Sequence, residues 1–250
     1  MSIFWFLVWF LLSAILLGAT LWSTVILVQQ KQAWRAYAKR KDLRFTPNKF
    51  FEPGELEGVL DGYNISFFTA MQEKEDARKN RQVTVMQIAT NKKFVNGIGA
   101  GTFEMRPFLK LLEALSPHEI KSASWNKDHD LRSRNKKSVT AYLTEERVKI
   151  ISSILTMPNT NVLILMDQNE AVFRFETNNP LTDEKKIDAI VSKLYARIEK
   201  LKPSEEELAK LAKLEDEADS LPAPKAKPEP APQPEEKSEE EQLEEKQEES

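Results

Sequence analysis

Hydrophobic and polar positions divide the chain into three regimes. From Ile3 to Val28, 26 residues pass without Asp, Glu, Lys, Arg, Pro or His. A helix of that length rises roughly 39 Å at 1.5 Å per residue, against about 30 Å of hydrocarbon in a bilayer. Phe4, Trp5, Phe6, Trp9 and Phe10 crowd its start, and aromatic rings favour the membrane interface. A cleaved signal peptide needs a basic n-region and a short apolar core; here no Lys or Arg precedes the run, and the run is long. A core helix seldom stays apolar on every face for seven turns. The pattern predicts a single transmembrane helix, residues 1–30.

The second regime alternates. Gln29 to Lys41 predicts a basic juxtamembrane helix (31–42) in which Trp34 and Tyr37, three apart, share a face. That face is expected either to rest on the bilayer or to belong to a plain spacer. Leu56–Leu60 and Tyr63–Met71 read as strands joined at Asp61-Gly62, a hairpin signal. Gln72–Arg81 reads as a charged loop and Gln82–Thr90 as a further strand. Pro107 suits a first helical position, and Phe108, Leu111, Leu112 and Leu115 predict one buried stripe. Ile120–Trp125 is expected to be a strand and Asn126–Lys137 a polar loop. Thr144, followed by Glu145 and Glu146, predicts a capped helix with Val148, Ile151, Ile154 and Leu155 inward. Asn161–Asp167 and Ala171–Glu176 predict a hairpin. Thr182 is expected to cap a helix whose Ile187, Ile190, Val191, Leu194, Ile198 and Leu201 pack on the sheet.

In the third regime, Ser204 to Glu207 forms a capping-box pattern before a short charged helix, 203–219. From residue 220 the chain turns to Pro, Ala, Lys and Glu, too poor in apolar surface to offset its chain entropy. The expected fold class is α+β: one N-terminal span, an antiparallel-sheet domain over 43–202 with about three packed helices, and a disordered acidic tail over 220–250.

Charge alters this picture at one point. The formal net charge of −3 averages 17 acids against 6 bases over residues 203–250 and 22 acids against 30 bases before them. Directly after the span come Lys31, Arg35, Lys39, Arg40, Lys41 and Arg44, with Asp42 the single acid. Lys and Arg beside a span stay on the cytoplasmic side. The expected location is therefore the cell inner (plasma) membrane, with the N-terminus outside and the domain and tail cytoplasmic. The same six bases are candidate contacts to anionic lipid headgroups.

Candidate chemistry is sparse. The chain has no cysteine, which excludes disulfides, thiolate metal sites and a cysteine nucleophile. His129 lies between Asp128 and Asp130, but successive positions on a loop rarely close around an ion. His118 lies in Ser-Pro-His-Glu. Gly97-Ile98-Gly99-Ala100-Gly101 matches neither Walker A nor GxGxxG, so a bulged or close-packed strand is the better reading. The basic runs around Lys74–Arg81 and Lys127–Lys137 lack interleaved aromatics, so no nucleic-acid partner is expected. No catalytic, cofactor or metal residue is expected.

Gly58-Val59-Leu60-Asp61-Gly62-Tyr63, Ala141 through Arg147, the strands at Val162–Leu165 and Val172–Phe175 and the last sheet-packed helix together form a pattern. It resembles an uncharacterised group of bacterial membrane-anchored domains over about residues 43–201. The resemblance implies an α+β topology and a bacterial source, and brings no functional residue with it. The expected function is a membrane-tethered binding or scaffold domain, engaging a protein partner through the domain or the acidic tail and anionic lipid through its bases. The alternative is a small-ligand sensor or enzyme whose site is dispersed.

Overall fold

A computed structural model describes residues 3–49, 52–72 and 81–219. The expected charged loop at 73–80 and the acidic stretch from 220 lie outside those residues.

Helix α1 runs unbroken from Ile3 to Lys41. Strands β1 (Arg44–Thr46), β2 (Glu55–Leu60), β3 (Tyr63–Gln72) and β4 (Arg81–Thr90) follow as an antiparallel series. Asp61 and Gly62 have φ of 53° and 81°, the paired left-handed turn whose twist suits a two-residue hairpin. Next come β5 (Ile98–Gly101), a 3-10 turn (Phe103–Met105), α2 (Arg106–Leu111), β6 (Ser116–Pro117), β7 (Asp130–Ser133) and α3 (Lys136–Tyr142). The chain closes with α4 (Glu145–Leu155), β8 (Thr160–Met166), β9 (Ala171–Thr177), α5 (Glu184–Leu201) and α6 (Glu205–Asp219). All nine strands form one sheet in the order β1-β2-β3-β4-β9-β8-β5-β7-β6, every neighbour antiparallel. The α+β class is thus observed, with one long apolar N-terminal helix and five further helices among the described residues.

The main core lies on one face of the sheet. Phe67, Ile88, Ile164, Phe173 and Phe175 meet Ile151 and Ile154 of α4 and Ile187, Val191, Leu194 and Ile198 of α5. A smaller cluster, Met105, Leu109 and Leu163 with Leu165, covers the opposite face. This explains Leu163-Ile164-Leu165: alternate residues serve different faces, and both are covered.

Four local expectations change. The stripe Phe108, Leu111, Leu112 and Leu115 does not form. Helix α2 has only six residues, ending where Leu112 adopts φ −83° and ψ 82°. Leu109 and Leu115 are inward, while Phe108, Leu111 and Leu112 are exposed. A helical period of seven residues has no meaning across so short a helix. Ile120–Trp125 is irregular, and the strand lies later, at β7 inside the expected polar loop, where Leu131 and Ser133 alternate inward. That loop also holds the start of α3, whose first amides donate to the Asn135 side chain. The cap of α5 is Asp183, which accepts from the amides of Lys185 and Lys186, one residue after Thr182.

The remaining caps follow the sequence. Thr144 Oγ1 accepts from Arg147 N at 3.3 Å, and Ser204 Oγ accepts from Glu207 N at 3.2 Å. The Glu207 carboxylate turns to the Arg147 guanidinium instead of back to its own cap; Arg147 Nη2 donates to Glu207 Oε2 at 2.8 Å. Asn135 Nδ2 donates to Leu214 O, so α6 is tied to the domain at two points.

Candidate functional site

The first candidate is the junction between the apolar helix and the domain. In α1 the apolar window has no buried residues, and the helix is long and apolar enough to cross a membrane. The burial changes at Gln30. From there Gln30, Ala33, Trp34, Tyr37 and Ala38 are buried, at the i, i+3, i+4 spacing of a single helix face. Trp34 meets Phe67 edge to face at 5.7 Å, and Tyr37 meets it at 6.1 Å. The shared face of Trp34 and Tyr37 is therefore real, and it is covered by the sheet rather than by lipid.

Placement of the six candidate headgroup contacts follows from this docking. Lys31 Nζ donates to Lys49 O at 2.8 Å, and the Arg35 guanidinium lies over the Phe45 ring at 5.4 Å. Arg40 pairs with Glu184 at 3.0 Å, Lys41 with Asp188 at 2.8 Å and Arg44 with Glu57 at 3.4 Å; Lys39 is exposed. The hydrogen bond from Lys41 holds the Asp188 carboxyl below its ordinary range. Along the helix, Lys39 to Lys41 lie about 16–20 Å beyond Val28.

Behind the junction is an aromatic and ionic cluster that the sequence did not reveal. Tyr63 stacks on Tyr195 at 5.1 Å, and Lys92 Nζ lies 4.1 Å over the Tyr63 ring. Glu199 accepts from Lys92 and from the Tyr63 hydroxyl, and both bonds hold its carboxyl low. Burial and that carboxylate raise the Tyr63 hydroxyl. The three groups come from β3, the turn after β4 and α5, so no local pattern could have joined them.

The second candidate is a cavity of about 900 Å³ between α5 and the ends of β8 and β9. Met86, Met157, Phe175, Leu181, Ile190 and Leu194 supply apolar walls, with Lys193 and Arg197 the charged groups. Leu181 has φ 53° and Asn159 φ 54°, both in the left-handed region that side chains disfavour. Asn179 Oδ1 accepts from Leu181 N at 2.9 Å, and Thr177 Oγ1 donates to Asn159 O at 3.0 Å. These bonds hold the two loops of the rim in place.

Other singled-out residues have structural roles. His118 Nδ1 lies 3.0 Å from Ser133 Oγ, and His129 packs edge-on to Trp125; burial lowers both imidazoles. No group of three or more metal-binding side chains occurs among the described residues. The glycine cluster is the close-packed strand its spacing suggested. A Cβ on Gly99 would stand 2.8 Å from Leu115 and 2.9 Å from Leu109. In and beside α2, Phe103, Phe108, Leu111 and Leu112 are exposed. No family model, curated protein or solved structure matches the chain.

Proposed function

We propose that this chain is a single-pass membrane protein whose domain is mounted at the cytoplasmic face of the inner (plasma) membrane and works there as a binding or scaffold module. The continuity of α1 carries the reading. One helix contributes both the apolar segment and part of the domain core, so the domain cannot swing freely on a linker. The six bases in residues 31–44 favour the cytoplasmic side. The exposure of Phe103, Phe108, Leu111 and Leu112 in and beside α2 supports a binding role, since large apolar side chains left exposed close together in the chain commonly mark an interaction surface. The acidic segment after α6 suits a basic protein partner.

The cysteine-free background makes topology directly measurable. Single Ser2→Cys and Ser204→Cys variants are labelled with a membrane-impermeant maleimide. Ser2→Cys is expected to react in intact spheroplasts, and Ser204→Cys only after lysis; the reverse pattern overturns the orientation. For the binding role, crosslinking in intact cells is compared among the full chain, a chain ending at Asp219 and a Phe108→Ser/Leu111→Ser variant. Identical captured neighbours in all three would refute both proposed contact regions.

A further inference from the structure

We propose that the cavity between α5 and the ends of β8 and β9 binds one anionic phospholipid drawn from the bilayer, its acyl chain among the apolar walls and its phosphate at Lys193 and Arg197. Three observations converge on this.

The first is chemistry. Met86, Phe175, Ile190 and Leu194 line the interior, and the lining holds two cations and no Asp or Glu. Two other cavities hold acids among their cations: Glu205 and Glu215 with Lys92, Lys93 and Lys202 in one, Glu113, Asp167 and Glu170 with Arg134 in the other. Lys193 and Arg197 are four apart on α5 and so share a face. Arg197 Nη1 donates to Ser153 O at 3.1 Å, which fixes its guanidinium, and no described acid pairs with either cation. A lining that joins these apolar side chains to two cations and no acid suits an amphiphile with an anionic head.

The second is size. About 900 Å³ lies within the roughly 300–1,000 Å³ of ordinary ligand sites, with room for an acyl chain.

The third is position. Thr177 of the cavity rim is the register partner of Thr84, whose hydroxyl accepts from the Gln30 side chain at 3.5 Å. Gln30 lies two residues beyond Val28, the last residue of the apolar run. The rim therefore lies one strand over from Thr84, the residue that meets α1 where the helix leaves the domain for the bilayer. A soluble amphiphile could satisfy the first two observations. The third makes the membrane the source.

This inference rests on the span but not on which side of the membrane the domain occupies. The full chain is reconstituted in nanodiscs of phosphatidylcholine with or without phosphatidylglycerol, released, and its retained lipid counted by native mass spectrometry. One phosphatidylglycerol per chain is expected. Lys193→Glu/Arg197→Glu is expected to lose it by roughly tenfold or more, the scale set by two cations at a surface. Lys185→Glu/Lys186→Glu carries the same charge change at exposed positions outside the cavity and is expected to retain it. Ile190→Trp, which fills the cavity with the charges intact, is expected to lose it, with thermal melts verifying that each variant is folded. Retention by the cavity variants, or equal loss in the Lys185/Lys186 control, overturns the proposal. So does equal retention of phosphatidylcholine, or stabilisation by inorganic phosphate with no lipid retained.

Discussion

Arg147 shows how one side chain can hold three elements. Its guanidinium donates to Tyr142 O at 3.0 Å and to Glu207 through both terminal nitrogens, and lies 4.4 Å over the Tyr142 ring. That bond pulls the Glu207 carboxyl below its ordinary value of about 4.5. A carboxyl lowered on folding stabilises above its unfolded value, and the contribution is lost as pH falls through the folded one. Glu207→Gln is therefore expected to cost about 1–3 kcal/mol at neutral pH, the scale of a charge-assisted bond. The gap from wild type should shrink below about pH 4.5 in thermal melts and vanish at still lower pH. Gly97 tests packing at the same scale. Its φ is +72°, and a Cβ there would run into Arg134 Cβ. Gly99→Ala meets only the ends of two leucines, which can turn aside. Gly97→Ala is expected to destabilise by about 2–3 kcal/mol and Gly99→Ala by less, measured by denaturant midpoints.

At the scale of elements, the last turns of α1 replace a helix that the sheet would otherwise need. Trp34 and Tyr37 are almost wholly buried, yet Trp34 Nε1 and the Tyr37 hydroxyl have no hydrogen-bond partner among the described residues. A buried unpaired donor costs about 1–3 kcal/mol, whereas burying the ring stabilises by a comparable or larger amount. Trp34→Phe should consequently be tolerated within about 1.5 kcal/mol, because it removes the unpaired donor along with some volume. Trp34→Ala should cost about 3–5 kcal/mol. Equal losses in melts of the detergent-purified chain would show that the indole nitrogen is not an orphan. The same residues mark how far the sequence could be read. Spacing placed Trp34 and Tyr37 on one face, but what covers that face depends on Phe67, about 30 positions away. The hairpins and the α4 and α5 stripes were legible because turn residues and helical periods are local. Helix α2, β7 and α3 were not, since they are short and their burial is decided by contacts across the sheet. The cavity was illegible for the same reason: β4, the β8–β9 end, the loop before α5 and α5 itself each contribute only a few residues.

At the scale of the whole molecule, the question is what direction the anchor gives the domain. Gln30 lies level with Thr84, and Leu43 lies against Gly58. Gly58 is in register with Ile65 and Ile65 with Ile88. The helix thus climbs from Thr84 toward Ile88 as it enters the domain, and its apolar part departs from the Thr84 end. Thr177 and Thr160 lie at that end, while Met166 and Ala171 lie at the other. Six residues of β8 separate the two ends by roughly 20 Å. If the helix is continuous in the membrane, the Asn178 loop must face the headgroups and the Gln168 turn must face away. Fluorophores on single cysteines at Asn178→Cys and Gln168→Cys, quenched by headgroup-labelled lipid, read this directly. Strong quenching is expected at 178 and weak quenching at 168. A flexible Gly-Ser insert after Val28 should leave the melting temperature of the domain unchanged, because Gln30 onward still docks, while it equalises the two signals. Equal quenching in the uninterrupted chain would mean that the junction bends at Gln29. The apolar segment would then be a tether instead of a mount, and the cavity rim would lose its fixed distance from the bilayer.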